Sequence, residues 1–260
     1  QPAGATLVVV GDTTLAEIVP LLEKHLGSWK VGSAGGAPAI PAVANARQSR
    51  VFLIDQPGAV QANIFAAQLV PSSKDPAAIA FDMANQVFGG DFTARLNMNL
   101  REDKHWSYGA RSGAASAVGQ RMWRATAPVQ IDTAGESVAE IRREIAEFFG
   151  GSRGTSAEEL ARQQKGLTLS LPGAYETAGS VLATIGSNVL YGRPDDYVFR
   201  RKAEIEAITP AQVDAAAKTL DPGAITWVVV GDLAKTEAPI RALKLGEVTI
   251  LDAEGKPVSK

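Results

Sequence analysis

Hydrophobic positions along this chain follow two periods, and the switches between them mark out its elements. Residues 6–12 read TLVVVGD and residues 226–232 read TWVVVGD. Each is an apolar, β-branched run closed by Gly-Asp and followed by a helical pattern, which predicts a strand leading into a helix. VFLID (51–55) and VQANIFAAQLV (60–70) predict two strands joined by a Pro57-Gly58 turn. Asp75-Pro76 opens a helix carrying Ala80, Met83, Ala84 and Val87, with proline at a tolerated first-turn position. A further helix follows Asp91, whose side-chain oxygen can satisfy free N–H groups, and Phe92, Leu96 and Leu100 recur along it beside Met98. Residues 108–117 and 121–130 predict a hairpin about Gly119-Gln120. Residues 137–149 predict an amphipathic helix with Val138, Ile141, Ile145 and Phe148 on one stripe.

Thr155-Ser156-Ala157-Glu158 has the form of a capping box and starts a helix towards Leu171, which Pro172-Gly173 interrupts. Helical patterns continue at about 174–191, 195–207 and 210–220, the last opened by Thr209 as cap and Pro210 as first residue. The TWVVVGD strand and a closing helix follow. Paired helices between strands, with hairpins supplying much of the sheet, predict an α+β fold: a mixed, largely antiparallel sheet covered by helices.

The two TxVVVGD copies form an internal repeat. They are either two buried strands alike by coincidence or the closing elements of two structural units. On the second reading residues 1–30 are the strand-and-helix tail of a preceding unit, and the Gln1-Pro2 start is that of an excised piece. Residues 31–49, rich in Gly, Ala and Pro without periodicity, are expected to form a mobile linker. The main domain then spans 50–250, with a tail at 251–260.

Composition narrows the chemistry. A 260-residue chain with 45% hydrophobic content can bury a sizeable core. A net charge of -2 offers nothing to nucleic acid or to an anionic membrane surface, so neither is expected as a partner. No apolar run is long enough to span a bilayer, and the first twenty residues lack a basic start and an apolar signal core. With no cysteine, thiolate metal sites, cysteine nucleophiles and disulfides are excluded. The two histidines, His25 and His105, lie in no metal-ligand motif. The glycine spacings that cradle nucleotides are absent as well.

Residues 87–110, VFGGDFTARLNMNLREDKHWSYGA, are the stretch around which the rest is organised. They hold a Gly89-Gly90 break, a helix with charge gathered at Arg101-Glu102-Asp103-Lys104, then Trp106 and Tyr108 before a strand. Taken alone, Arg101 is a helix-end arginine pairing with Glu102 or Asp103, Tyr108 a half-buried strand tyrosine, Trp106 a residue packing the helix end, and Gly89-Gly90 a helix-breaking turn.

The order Gly-Gly, Arg-Leu, Leu-Arg-Glu-Asp-Lys, aromatic, Ser-Tyr-Gly-Ala resembles the second, non-zinc-binding half of the insulinase/pitrilysin zinc peptidases, which include the mitochondrial processing peptidase subunits. With the two TxVVVGD signatures the resemblance covers most of residues 5–250. It implies two like-folded units in tandem. It also implies that Arg101 and Tyr108 face a cleft opposite a zinc site, where a guanidinium can hold a substrate carbonyl and a phenol can stabilise charge developing on it. Gly89 and Gly90 would shape a loop near substrate. The H-x-x-E-H motif of the catalytic half is missing, so no metal or cofactor is expected in this chain, and the chain alone is expected to be inactive. Zinc is expected in a catalytic domain in cis or in a partner subunit, and the substrate is an unfolded peptide. A non-enzymatic scaffold of the same fold, as in respiratory-chain core subunits, is the alternative. Exported bacterial relatives imply a periplasmic location, with the cytoplasm as the other option.

Overall fold

A computed structural model describes residues 4–30, 32 and 39–258. In chain order its elements are α1 (Leu15–Leu26), β1 (Arg50–Asp55), β2 (Gln61–Val70), α2 (Ala78–Asn85), α3 (Arg95–Asn97), β3 (Arg111–Ala114), β4 (Arg121–Gln130), α4 (Ala134–Phe149), α5 (Ala157–Leu169), α6 (Ala178–Tyr191), α7 (Tyr197–Ala207), α8 (Pro210–Ala217), β5 (Thr226–Gly231), α9 (Leu233–Ala242) and β6 (Glu247–Leu251). α2 runs on as a π-helical turn, Gln86–Gly90, and α3 as another, Met98–Asp103. The chain divides into two compact units, Gln1–Pro41 with Gly166–Ala203, and Ala42–Lys165 with Glu204–Lys260.

The larger unit holds one six-stranded sheet in the order β3-β4-β2-β5-β1-β6. β3, β4, β2 and β5 are antiparallel neighbours, while β1 lies parallel to both β5 and β6. The α+β class and the mixed sheet therefore form as the sequence implies. Burial alternates along β2, β4 and β5, the mark of a sheet with one face against a core. α4 covers that face with the apolar stripe read from the sequence: Val138, Ile141, Ile145 and Phe148 are all buried. Phe88, Trp123, Phe148 and Phe149 interlock beneath it, with Phe88 and Phe149 ring centroids 4.8 Å apart.

Three sequence expectations change here. The Pro57-Gly58 turn does join β1 to β2, but the two strands are not paired with each other. β5 lies between them. The capping box of α5 sits one residue later than expected: Ser156 and Glu159 exchange the reciprocal bonds, 3.1 and 2.9 Å. β6 was not foreseen and falls where the domain was expected to end.

Of the linker, residues 31 and 33–38 lie outside the described residues. Residues 42–48 form no helix or strand, yet two side chains tie them to the rest of the larger unit. Gln120 bonds both backbone groups of Val43, and Asn45 bonds both backbone groups of Leu69 where β5 no longer reaches β2.

In the smaller unit the strand expected at 6–12 does not form. A strand exists by its ladder, and no strand among the described residues pairs with this segment. Leu7 is 59% exposed and Val9 46%. The helix expected after it is present as α1, opened by Thr14, whose N–H and hydroxyl both donate to Glu17 at 2.8 and 3.0 Å. Segment 6–22 and α6 line an apolar groove of about 740 Å³.

Candidate functional site

The stretch 86–110 is held by specific local chemistry. Asp91 forms a tight turn, accepting from Thr93 N–H at 2.8 Å, rather than capping a long helix. Phe92 falls outside the helix and half exposed, while Leu96 and Leu100 are buried as their spacing implies. Two asparagines in this region cover the outer edge of β3. Asn85 Nδ2 donates to the Ser112 carbonyl at 3.1 Å, and Asn97 Oδ1 accepts from Ala110 N–H at 3.1 Å. Gly89 comes so close to that edge that a Cβ there would lie 2.8 Å from the Ser112 backbone nitrogen. Close approach therefore accounts for Gly89, and a Cβ at Gly90 would collide with the Gln86 side chain.

The helix ends at His105, which takes a left-handed backbone (φ 58°) that histidine tolerates better than most residues. Its ring Nδ1 lies 3.1 Å from the Arg101 carbonyl, so it serves the helix end. His25 lies on α1. Among the described residues no three His, Asp or Glu side chains converge on a possible metal position, so the donor set does not fit zinc.

Arg101 Nε lies 3.2 Å from Glu102, and its guanidinium stacks on the Phe92 ring at 4.6 Å. Tyr108 is 86% exposed and lies in a bend before β3, not in a half-buried strand. Beside it Ser107 bridges to Val129, its hydroxyl donating to the Pro128 carbonyl at 2.5 Å. Arg101 and Tyr108 thus flank a fixed helix end, with the phenol presented to solvent.

Sequence reasoning missed a charged network behind this helix. Arg95 makes a two-pronged pair with Glu159, both bonds 2.7 Å, and donates to the carbonyls of Arg153 and Gly154. Burial pushes the Glu159 carboxyl up, but the Arg95 bonds and the Ser156 N–H outweigh it and hold it at about 2. Arg143 bonds Glu140, Glu144 and Glu147, so its pKa is raised, and its bond holds Glu140 below the usual carboxylate range. The i,i+3 and i,i+4 spacing on α4 was visible in sequence. The link from Arg95 to Glu159, 64 positions away, was not.

The model of the peptidase M16 inactive domain family matches residues 1–167. No curated protein matches the chain. Solved structures share the fold. A protease from Helicobacter pylori is 13% identical with a TM-score of 0.72, over 85% of this chain and 54% of its own. The first half of the periplasmic protease PqqL from Escherichia coli is 16% identical with a TM-score of 0.71, over 90% and 54%. The peptidase M16 inactive domain from Pseudomonas fluorescens is 22% identical with a TM-score of 0.66, over 74% and 47%. The chain spans about half the length of these structures.

Proposed function

This chain belongs to the peptidase M16 inactive domain family, and we propose that it is the non-zinc-binding half of a zinc metalloendopeptidase, enclosing unfolded peptides and lending Arg101 and Tyr108 to substrate. The zinc-binding half is supplied in cis or by a partner subunit. The observation that carries this reading is Tyr108: its hydroxyl has no partner among the described residues and its ring is 86% exposed. A phenol with no protein partner among the described residues, beside an ordered helix end, can turn towards a substrate carbonyl oxygen, which would gain negative charge when water activated by zinc in the other half attacked the carbonyl carbon. In this reading Arg101, on the same helix end, leaves Glu102 to hold a substrate carbonyl before and during that step. Gly89 and Gly90 shape the turn ahead of the helix and contribute conformation rather than contacts. A periplasmic location is part of the proposal, supported by the fold shared with a periplasmic protease. Among the described residues no helix is long and apolar enough to cross a membrane.

A scaffold role has one observation in its favour: Arg101 is already engaged by Glu102 and Phe92. The test separates the two. In the complete enzyme, Tyr108→Phe should lower kcat by about 10²–10³ with little change in KM, as for loss of one transition-state donor. Arg101→Ala should lower kcat and also raise KM. Both variants should melt with the parent. If both also cleave an unstructured peptide at the parent rate, the pair is structural and the scaffold reading replaces this one.

A further inference from the structure

Between the helical run 95–104, α4 and the start of α5 lies a polar cleft of about 460 Å³ whose lining includes none of Gly89, Gly90, Arg101 or Tyr108. Two buried side chains line it: Asn99, 6% exposed, and Glu144, 3% exposed. Asn99 gives both amide protons away, to Glu140 Oε2 and Glu144 Oε1, each at 2.8 Å. Turning the amide over would set its oxygen against two carboxylates, so the orientation is determined. Asn99 Oδ1 is left buried with no partner. Glu144 Oε1 accepts again from Arg143 Nη2 at 2.9 Å, while Oε2 accepts nothing. The closest cation to Oε2 is Arg153 Nη1 at 3.6 Å, beyond hydrogen-bonding distance.

The arginines that could supply donors are committed elsewhere: Arg95 to Glu159 and two carbonyls, Arg143 to three glutamates. The cleft is short of donors by two acceptors, one of them on a carboxylate. An anion would worsen that shortage. Calcium or magnesium needs about six oxygens, several from carboxylates, and no such cluster exists among the described residues. A guanidinium seeks both oxygens of a carboxylate, and Glu144 Oε1 is occupied. A primary ammonium is compact and carries three N–H donors, enough for both orphan acceptors and a water. Met98 gives a wall for its aliphatic stem. Lys104 in the same lining repels a second positive charge, which disfavours a free diamine and favours a lysyl residue within a peptide.

We infer that this cleft binds the ammonium group of a lysine side chain presented by a peptide, with Asn99 Oδ1 and Glu144 Oε2 as acceptors. Arg153, whose side chain is 54% exposed and only loosely paired at 3.6 and 3.7 Å to Glu144 and Glu147, moves off Glu144 to admit it. The occupant rests on the peptide-handling role proposed above, but the binding chemistry is measurable without cleavage.

The test titrates the full chain with Nα-acetyl-lysine methylamide. The control is the norleucine analogue, which keeps the stem and lacks the ammonium, and putrescine is the free amine. The lysine probe should give saturable NMR shifts centred on the Asn99 side-chain amide, the norleucine probe none, and putrescine weaker binding. Glu144→Gln should weaken the lysine probe about tenfold, the value of one charge-assisted bond. Arg153→Ala, at an exposed position that leaves folding intact, should strengthen it by removing the competing cation. Equal binding of lysine and norleucine probes, shifts elsewhere than Asn99, or weaker binding in Arg153→Ala would overturn the site. Putrescine binding as tightly as the lysine probe would overturn the peptidyl assignment. If the cleft fails these tests while cleavage stays sensitive to Tyr108→Phe, only this inference falls. Lysine binding with cleavage indifferent to Tyr108 sinks only the peptidase reading.

Discussion

Residues 6–12 and 226–232 differ at one position of seven, Leu7 against Trp227, yet they occupy opposite kinds of environment. The second copy is β5, paired antiparallel to β2 on one side and parallel to β1 on the other, with Trp227 2% exposed. The first copy has no strand partner among the described residues and exposes Leu7 and Val9. Even the closing Gly-Asp diverges. Asp232 caps α9 by accepting from Ala234 N–H at 3.0 Å and also receives Gly58 N–H at 3.2 Å, whereas α1 is opened by Thr14 and Glu17, not by Asp12. The lesson is that a β-branched run encodes readiness to pair, and the partner decides whether a strand exists.

Substitutions at matched positions can break or sharpen this contrast. The largest gap is expected between Trp227→Ala and Leu7→Ala. Emptying the Trp227 site should cost about 3–5 kcal/mol, and Leu7→Ala should stay within about 0.5 kcal/mol, both read by denaturant unfolding. A Cβ at Gly231 would meet Ile131 Cδ1 at 3.1 Å and the Ala62 Cβ at 3.2 Å, but one at Gly11 would meet nothing within 4 Å. Gly231→Ala should therefore cost about 1–3 kcal/mol through overpacking, with Gly11→Ala near neutral in the same assay. Next comes the cap: Asp232→Ala should lose about 1 kcal/mol, and Asp12→Ala almost nothing. If the members of each pair turn out equal, residues 6–12 sit in a sheet after all.

The smallest effect is electrostatic and compares the two capping-box glutamates. The Thr14 backbone N–H, then its hydroxyl, lowers the Glu17 carboxyl. Glu159 is held at about 2 against burial by Arg95 and Ser156. A depressed carboxyl stabilises the fold above its unfolded pKa, and that contribution is lost as pH falls through the folded value. For Glu159 the window runs from about 4.5 down to about 2. An NMR titration should find the Glu159 midpoint near the bottom of that window. Arg95→Met should raise it while leaving Glu17 unmoved.

Much of the fold was legible because side-chain periodicity reports which face is buried. The α4 stripe and the β3–β4 hairpin follow from it, and the Thr209 cap of α8 follows from the residue types at that helix start. Register and partner are not carried by periodicity. Hence the strand at 6–12 was expected and is absent, β1 and β2 share a turn without sharing a ladder, and β6, a short run after Gly246, was passed over. The candidate site divides in the same way. Taken alone, Arg101 and Tyr108 had ordinary structural readings and only the family resemblance singled them out, while the local pairing of Arg101 with Glu102 was foreseeable. The role of Gly89 against Ser112 needed the approach of β3, and the orphan acceptors on Asn99 and Glu144 needed a full hydrogen-bond account of three helical segments.

The insertion of β5 between β1 and β2 has a consequence for how the chain is made. Arg50 waits for Thr226, 176 positions later. At bacterial or eukaryotic translation speeds that interval lasts roughly ten to thirty-five seconds. Until Gly231 has left the ribosome, β1 and β2 cannot be bridged, and each keeps a raw edge. Residues 6–12 have by then long emerged and match the late-arriving strand except for leucine in place of tryptophan. The indole of Trp227 is the one side chain in the heptapeptide by which the slot can tell its proper strand from the early copy. In the finished core that indole is 2% exposed, where the leucine of the early copy is 59% exposed.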